Sequence, residues 1–529
     1  MRLLRSTAQI GSLTLVSRVL GLVRDILLAR FLGASVVNDA LITAMRLPNL
    51  FRRMFAEGAF NAAFVPLYAR ELEERGEADA ATFAGQALAA LLVLVAAIVL
   101  VFQISMPVSL NLVGYGLDRE AGGVSGGTAP YDLAVLYARI TMPYLLLMSL
   151  AALLSGVLNT HHRFAAAAFA PVLLNIVLIG VLLAAGRTGW DQPGVALWVS
   201  LGMTASGVLQ LALLVWAARR AGIRVPLRRP RLTPRIRRLW TLGVPGLIAA
   251  GITQINALVS HTIATTQDSA ASWLYYSDRL YQLPLGMIGI AMGIALLPAL
   301  SRSLRAGRLD DAQATQNRGA ELALLLTLPA SAALFAMPEF LVGGLFERGA
   351  FGAFDTEQTA VALRMFSLGL PAFVLLKVLT PAFFAREDTR TPMRWAAVSA
   401  AVNVSLGATL FFTVGFWGLA LATSVAAWAN VAGLAWVLRG NGMWAVDARL
   451  LARVPRIALA SLGMGAALWA ARPLFRPLLE GGILTDYIAL AAVSVAGLAV
   501  YALLAFGVGA TRLSELRGAA LPKAKTPAP

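Results

Sequence analysis

The chain has 529 residues, of which 58% are hydrophobic and 13% carry a charge. This composition is too apolar for a water-soluble protein and indicates a polytopic membrane protein. The chain has no cysteine, which excludes disulfide bonds, thiolate catalysis and sulfur-ligated metal sites. The formal net charge is +17, an excess that a membrane protein acquires through loops that face the cytoplasm and its anionic lipid headgroups.

Apolar stretches long enough to cross a hydrocarbon core of about 30 Å predict fourteen membrane-spanning helices and an all-α fold. In chain order they begin near Ala8, Asn38, Thr82, Tyr131, Phe164, Pro193, Arg237, Ser272, Asn317, Glu357, Met393, Gly418, Arg453 and Leu484. The first, second and eighth are expected to be the weakest by hydropathy, because they carry polar residues. Arginines interrupt the apolar stretch of the first helix, so we expect it to be retained rather than removed as a signal peptide.

The basic residues between the predicted helices indicate the orientation of the chain. Of the 44 Lys and Arg residues, 29 fall in one alternating set of linkers and tails, and 5 fall in the other set. The larger set includes both termini and the arginine-rich stretch 219–238, and the positive-inside rule places it in the cytoplasm. The same rule explains the arginine-rich stretch as a membrane anchor, so no nucleic-acid partner is expected.

Similar segments recur in the two halves of the chain. The matching pairs are Pro143 to Asn175 with Pro371 to Asn403, 64–70 with 296–302, and 194–197 with 418–421, at offsets of 228, 232 and 224 residues. Three ordered matches at nearly one offset predict two pseudo-symmetric six-helix lobes with the same orientation, as in transporters built of parallel repeats. The predicted organisation is an N-lobe (1–222), a basic cytoplasmic linker (223–236), a C-lobe (237–440), two extra C-terminal helices (441–510) and a cytoplasmic tail (511–529).

Arginines lie inside the predicted spans, and most of them lie in the first two. Before residue 60 these are Arg18, Arg24, Arg30, Arg46, Arg52 and Arg53. A charged side chain at mid-bilayer costs roughly 2.5–3.5 kcal/mol on insertion scales, so such residues face a protein interior or a water-filled cavity. A cavity lined with guanidinium groups suits an anion, and guanidinium binds phosphate through two parallel hydrogen bonds.

The polar residues of the second span predict a hydrophilic stripe along one helix face. The stripe contains Asp39, Arg46, Arg53, Glu57 and Asn61. On the first span, Arg18 and Asp25 are predicted to share a face, while Arg24 lies well round from them. The eighth span opens with Ser272 and carries Asp278 next to Arg279.

An alternative function for the carboxylates is to neutralise neighbouring arginines and hold helices together. This alternative stays open for Asp25, Glu57 and Asp278. It is less suited to the arginines, because six arginines in the first two spans face only three carboxylates. The surplus positive charge requires water or an anion from outside the chain.

Signatures of enzymes and ATP-driven pumps are absent from the sequence. No Gly-Lys pair occurs, so a phosphate-binding P-loop cannot be formed, and neither ATP hydrolysis nor binding is expected. The three histidines, His161, His162 and His261, have no metal-ligand spacing. We therefore expect a transporter with no catalytic residue, no metal and no cofactor; the sequence does not identify a coupling ion.

Several segments resemble the MurJ (MviN) family of lipid II flippases, which belongs to the multidrug/oligosaccharidyl-lipid/polysaccharide exporter superfamily. The resemblance rests on Ser17–Asp25 (SRVLGLVRD), Leu47–Arg53 (LPNLFRR), Phe55–Phe60 (FAEGAF), Phe64–Pro66 (FVP) and Trp273–Arg279 (WLYYSDR). It extends from residue 1 to about residue 510, and it includes the two extra helices.

The resemblance implies two six-helix lobes around a cationic cavity, a hydrophobic groove made with the last two helices, and alternating access. The implied substrate is lipid II, the undecaprenyl-pyrophosphate-linked peptidoglycan precursor, carried to the periplasmic leaflet of the bacterial inner membrane. Membrane lipids and the cell-wall synthesis machinery are the other implied partners. By matching motifs, Arg18, Arg24, Arg52 and Arg279 correspond to arginines that the family needs, and Asp39 and Ser272 match functional positions. The candidate substrate-binding residues also include Asp25, Asn49, Arg53 and Glu57. Some members have a carboxylate where this chain has Gln282.

Two other functions remain open from the sequence. One is the export of another lipid-linked oligosaccharide, or of cationic drugs, by a protein of the same superfamily. A drug exporter would favour an acidic, aromatic cavity, whereas the charged residues here are mainly basic. The other is a non-transporting scaffold for cell-wall synthesis, which would leave the arginines within the spans without a purpose.

Overall fold

The computed structural model describes residues 2–55, 59–117, 128–479 and 481–511, and their regular structure is helical. The first half contains α1 (Arg2–Leu32), α2 (Val36–Phe55), α3 (Ala59–Ile104), α4 (Met106–Val113), α5 (Pro130–Thr141), α6 (Pro143–Thr160), α7 (Phe164–Thr188), α8 (Gln192–Arg220) and α9 (Pro234–Ala264). The second half contains α10 (Ala270–Arg305), α11 (Leu309–Ala336), α12 (Pro338–Phe346), α13 (Ala353–Ser367), α14 (Leu370–Phe384), α15 (Arg390–Val414), α16 (Trp417–Gly440), α17 (Ala448–Ala470), α18 (Arg472–Phe475) and α19 (Ile483–Gly507). A short 3₁₀ turn, Arg476–Leu479, follows α18.

Each of the fourteen predicted spans begins inside one of these helices. Within the described residues, ten helical segments are long and apolar enough to cross a membrane. The helices α1, α2, α9 and α10 are not among these ten segments. The relative weakness of the first, second and eighth spans by hydropathy stays a prediction. The chain is therefore an all-helical, polytopic membrane protein.

Two predicted spans are each divided into two helices by a proline. Pro143 opens α6 directly after α5 ends, and Pro371 lies in the first turn of α14 directly after α13. Proline has no N–H to donate, so it is tolerated in a first helical turn and interrupts a helix further along. The two prolines belong to the repeated segments, and they mark the same kind of break in each half of the chain.

The long helix α3 contains a kink ahead of its apolar part. Gly76 has φ 81° and ψ 179°, a conformation that glycine adopts without steric cost. The charged residues before Gly76 therefore form their own helical segment, and the predicted third span starts after the kink, near Thr82.

The described chain packs as two compact units. The first contains the described residues within 2–273 and 348–355, and the second contains those within 274–347 and 356–511. The predicted linker 223–236 lies within the first unit. The division into an N-lobe and a C-lobe was inferred from the repeated segments rather than from packing, and it remains a prediction.

Each unit has its own apolar core. In the first unit, Phe60, Phe64 and Phe83 of α3 are buried and stack on one another with ring centroids 5.7–5.9 Å apart. In the second unit, Met464 of α17 and Leu490 of α19 pack in one cluster with Phe340 of α12. The last two helices are therefore held to the same unit by their apolar faces.

Candidate functional site

Arg24 is fixed on α1 by two side chains. Its Nε and Nη2 lie 3.0 and 2.7 Å from Oδ1 of Asp25, and its Nη1 donates to Oδ1 of Asn175 on α7 at 3.1 Å. Asn175 in turn donates to the backbone carbonyl of Ser17 at 2.9 Å. The side-chain amide therefore joins α7 to two points of α1, and it orients the guanidinium through an acceptor that carries no charge.

Arg24 pairs with Asp25 although the two residues were predicted to lie on different faces of the first span. The prediction that Arg18 and Asp25 share a face concerned helix faces and named no ion pair. A long arginine side chain can fold back along the helix surface, so positions of Cα atoms on a helical wheel do not decide which ion pair forms. The alternative in which Asp25 neutralises a neighbouring arginine is therefore seen for Arg24.

Asp39 and Ser272 form a buried pair between the start of α2 and the start of α10. Oδ1 of Asp39 accepts the backbone N–H of Ser272 at 2.8 Å and its hydroxyl at 2.5 Å. Both residues are buried, with 2% and 0% exposure. Asn38 adds hydrogen bonds from its Nδ2 to Oγ of Ser272 at 3.0 Å and to the carbonyl of Gly33 at 2.9 Å. One end of the predicted hydrophilic stripe is therefore occupied by protein groups rather than open to a ligand.

The stripe becomes more accessible beyond Pro48, which lies inside a continuous α2. Arg46 and Arg52 are half-buried and Arg53 is exposed. Nε of Arg52 donates to Oδ1 of Asn49, three residues earlier, at 3.2 Å. Glu57, a further candidate, lies outside the described residues.

The remaining candidates are Arg18 in the first unit and Arg279 in the second. Arg18 is half-buried on α1. Arg279 is half-buried on α10, where its Nη2 donates to the hydroxyl of Tyr275 at 3.1 Å and its guanidinium lies 4.8 Å from the centre of the Tyr275 ring. The neighbouring Asp278 accepts a hydrogen bond from Gln282. The polar residues of this span are thus held in place by partners one helical turn away.

The sequence analysis did not identify several buried polar residues. In the first unit, Oγ1 of Thr43 on α2 lies 3.0 Å from Nε2 of His261 on α9, and both residues are buried. The sequence signal was present, since a histidine within a predicted span needs a polar partner, but that partner is 218 residues away along the chain.

A second missed cluster lies in the second unit between α11 and α17. Glu321 is 7% exposed. Its carboxylate accepts two hydrogen bonds of 3.1 Å from Arg449 and contacts Arg318 and Arg453. Asp447 accepts the N–H of Leu450 at 2.7 Å at the start of α17 and also pairs with Arg318. This ion-pair cluster joins the first of the two extra helices to α11.

No three His, Asp or Glu side chains come together as metal ligands within the described residues. In the first unit, Arg24 is oriented by a carboxylate and an amide, and Arg52 is oriented by an amide. In the second unit, Arg279 is oriented by a phenol. Guanidinium N–H groups of this kind can bind an anion.

Comparison with solved structures defines the class of protein. The fold is similar to that of a multidrug resistance MATE family transporter of the MOP superfamily in an inward-facing conformation, with a TM-score of 0.68 and 16% identity over 82% of this chain and 98% of the other. It is also similar to a structure described as lipid II flippase MurJ in an inward closed conformation, with a TM-score of 0.77 and 23% identity over 94% of this chain and 97% of the other. At these identities the structures establish the fold alone, an all-helical fold shared with these membrane proteins.

Sequence comparison identifies the family. A family model described as lipid II flippase MurJ matches residues 28–488. A probable lipid II flippase MurJ of Rhizobium meliloti (strain 1021) is 46% identical over 522 residues, which cover 98% of this chain and 96% of the relative. A protein of the same description from Rhizobium tropici is 41% identical over 100% of this chain and 98% of the relative. The chain belongs to the MurJ family, and it is a transporter rather than an enzyme.

Proposed function

We propose that this chain moves lipid II from the cytoplasmic to the periplasmic leaflet of the bacterial inner membrane by alternating access. The observation that carries the proposal is the 46% identity to a probable lipid II flippase over 98% of this chain. The arginines of the first two helices support it, because a lipid pyrophosphate is an anion that must be stabilised within a membrane-spanning protein.

The proposed pyrophosphate ligands are Arg18, Arg24, Arg52 and Arg279. The structure supports this assignment for Arg24, because its Nη1 donates to Oδ1 of Asn175 and its Nε and Nη2 donate to Asp25, so the guanidinium is held in one orientation. Preorganised donors bind an anion more tightly than free side chains, because less conformational entropy is lost on binding. Asp25, Asn49, Arg53 and Glu57 are proposed as further residues of the substrate site, and Asp39 and Ser272 as a pair that supports it.

The architecture that goes with this function has fourteen spans, arranged as two lobes of six and two extra helices that form a groove for the lipid chain. Helices at all fourteen predicted positions and proline breaks at Pro143 and Pro371 support the arrangement. Both termini are proposed to be cytoplasmic. Cysteines at Ser35 and Gly126 should then react with an impermeant thiol reagent from outside, and cysteines at Gly222 and Ala524 should not. The reverse labelling pattern would overturn the orientation.

Depletion of the protein in its host tests the transport function. Lipid II should accumulate while its cytoplasmic synthesis continues, and resupply of the wild-type chain should reverse the accumulation. Accumulation of a different lipid-linked oligosaccharide, with lipid II unchanged, would instead favour another exporter of the superfamily. Cell-wall synthesis enzymes remain predicted partners.

Export of cationic drugs receives less support than lipid transport. The similarity to MATE transporters establishes a common fold only, at 16% identity. The six arginines of the first two predicted spans would repel a cationic substrate, since like charges cost free energy where water is excluded.

A further inference from the structure

A small basic cavity lies in the first unit, apart from the candidate substrate residues. Its volume is about 200 Å³, and it is formed by α3 around Glu71 and by the start of α9. The lining residues are Leu67, Arg70, Glu71, Arg75, Phe83, Pro234, Arg235 and Arg238. The positive-inside rule assigns this end of both helices to the cytoplasmic leaflet.

The segment that leads into α9 holds the cavity walls together. A Cβ atom on Gly85 of α3 would lie 2.0 Å from the carbonyl oxygen of Pro226, so the glycine permits this segment to lie directly on the helix. Further along, Oγ1 of Thr233 caps α9 by accepting the N–H of Ile236 at 3.4 Å and lies 3.3 Å from Oε1 of Gln86. The basic segment is therefore packed against α3, and the arginines that follow it have a fixed position relative to Glu71.

The cavity carries an excess of positive charge. Four arginines line it, against one carboxylate, that of Glu71. Arg235 and Arg75 pair with this carboxylate, which leaves Arg70 and Arg238 for a ligand. Arg70 pairs with Glu74 at 3.2 Å, but their side chains are 47% and 55% exposed. Exposed pairs contribute about 0–1 kcal/mol, so a phosphate can replace Glu74 as the partner of Arg70 at little cost. Arg238 is exposed at the rim.

Glu71 offers the cavity a hydrogen-bond acceptor. The residue is 9% exposed, and its Oε2 is buried without a hydrogen bond. Nη1 of Arg235 and Nη1 of Arg75 lie 3.0 and 3.7 Å from that oxygen, so both guanidinium groups offset its charge. Neither gives it a well-directed hydrogen bond, which a ligand with an O–H or N–H group can add.

Size and surroundings indicate a lipid rather than a large soluble ligand. Sites for drug-sized molecules enclose about 300–1,000 Å³, so 200 Å³ holds a headgroup and not a disaccharide-peptide. Leu242, one helical turn after Arg238 on α9, is 53% exposed, and Leu227 and Leu232 are 66% and 83% exposed. These exposed apolar side chains next to a basic cavity can contact the acyl chains of a lipid whose phosphate is bound in the cavity.

We propose that this cavity binds a phospholipid of the cytoplasmic leaflet whose phosphodiester is held by Arg70 and Arg238 and whose headgroup alcohol or amine donates a hydrogen bond to Glu71. Phosphatidylglycerol and phosphatidylethanolamine both have this chemistry. The bound lipid fastens the start of α9 to α3. The proposal does not depend on which substrate the protein transports.

Native mass spectrometry of the delipidated full-length protein, titrated with dioleoyl phosphatidylglycerol, tests the phosphate contact. Arg238→Ala should weaken binding about ten-fold, the loss expected for one charge-assisted hydrogen bond. The matched control, Arg229→Ala, removes an exposed arginine of the same basic segment that does not line the cavity, and it should bind as wild type does. Equal losses in the two variants would overturn the site, because they would show a general attraction to basic surface. Displacement of the lipid by equimolar inorganic phosphate would overturn the lipid assignment.

Phosphatidylmethanol with the same acyl chains tests the contact with Glu71, because it has the same phosphodiester charge but no headgroup hydroxyl. Wild type should bind phosphatidylglycerol several-fold more tightly than phosphatidylmethanol. Glu71→Gln should reduce that preference, since the amide oxygen is a weaker acceptor. Equal affinity of wild type for the two lipids would contradict the contact with Glu71.

Discussion

A single carboxylate oxygen of Asp39 accepts both the backbone N–H and the hydroxyl of Ser272, 233 residues further along the chain. The contact lies at the first turns of α2 and α10, and both side chains are almost completely buried. Removing either residue would leave a buried polar group of the other residue without this hydrogen bond. The pair therefore holds the first turns of the two helices in one arrangement.

Truncating either member of this pair should destabilise the protein, and the effects should not add. We expect Ser272→Ala and Asp39→Ala each to lower the free energy of unfolding, with a coupling energy of about 1–2 kcal/mol in a double-mutant cycle. Unfolding in mixed micelles measures it. Ser405→Ala is the control, since this exposed hydroxyl bonds only to carbonyls of its own helix, at 2.8 and 3.4 Å. Additive effects would show that the two residues act independently.

Lysine should replace arginine less well at position 24 than at position 52. Three nitrogens of Arg24 contact Asp25 and Asn175, and a single ammonium group cannot reproduce that fork. We therefore expect Arg24→Lys to lose complementation of a depleted strain, whereas Arg52→Lys retains part of it at equal protein levels. Asn175→Leu should weaken function in the same direction as Arg24→Lys. Equal activity of the two lysine variants would mean that only the charge matters.

Two glycines should be irreplaceable because of a close backbone contact in the first unit. The N–H of Ala350 donates to the carbonyl of Arg30 at 2.8 Å. A Cβ on Gly349 would lie 2.3 Å from that oxygen, and a Cβ on Gly33 would lie 2.4 Å from the carbonyl oxygen of Ala350. Alanine at either position should lower the thermal midpoint strongly.

Gly307 provides the matched control for this prediction. Its φ is +69°, close to the +63° of Gly349, but no atom would lie within 4 Å of its Cβ. Gly307→Ala therefore reports the backbone strain alone, which costs about 1 kcal/mol. If alanine at 307 and at 349 shifted the midpoint equally, the contact with Arg30 would contribute nothing.

The α3–α6 contact next to the proposed cytoplasmic surface should weaken in mild acid. Nε2 of His161 lies 2.9 Å from the hydroxyl of Tyr68, and burial lowers the pKa of His161 below the usual value for histidine. As the pH falls, this histidine is protonated at a higher pH in the unfolded chain than in the folded chain. The free energy of unfolding therefore decreases as the pH falls below about 6.5. The protection factors of backbone amides around Tyr68, which are corrected for the intrinsic pH dependence of hydrogen exchange, should fall between pH 7.5 and 5.5 in wild type and in His162→Gln, but not in His161→Gln. A pH dependence that persists in His161→Gln would assign it to another group.

Hydropathy and composition predicted where the helices lie, because a membrane span must satisfy its own backbone and expose apolar side chains. The helix breaks at Pro143 and Pro371 could not be predicted from proline alone, because Pro48 lies inside the continuous helix α2.

The partners of the polar residues could not be predicted from the sequence. Arg24 binds Asn175 across 151 residues, and Asp39 binds Ser272 across 233. Such contacts depend on which helices pack together, and neither helical periodicity nor charge counts contain that information. The motifs that indicated the family were more informative about which residues matter than about what each one contacts.

The most direct test of the proposed function is the binding of purified protein to lipid II, compared with binding to the same polyprenol without pyrophosphate. Each charge-assisted contact contributes about 1.5–3 kcal/mol. Alanine at Arg24, Arg52 or Arg279 should therefore weaken the binding of lipid II by roughly one to two powers of ten, and it should leave the weak binding of the polyprenol unchanged. Alanine variants that insert normally and bind both lipids as wild type does would contradict the account, because the arginines would then hold helices together rather than bind the pyrophosphate.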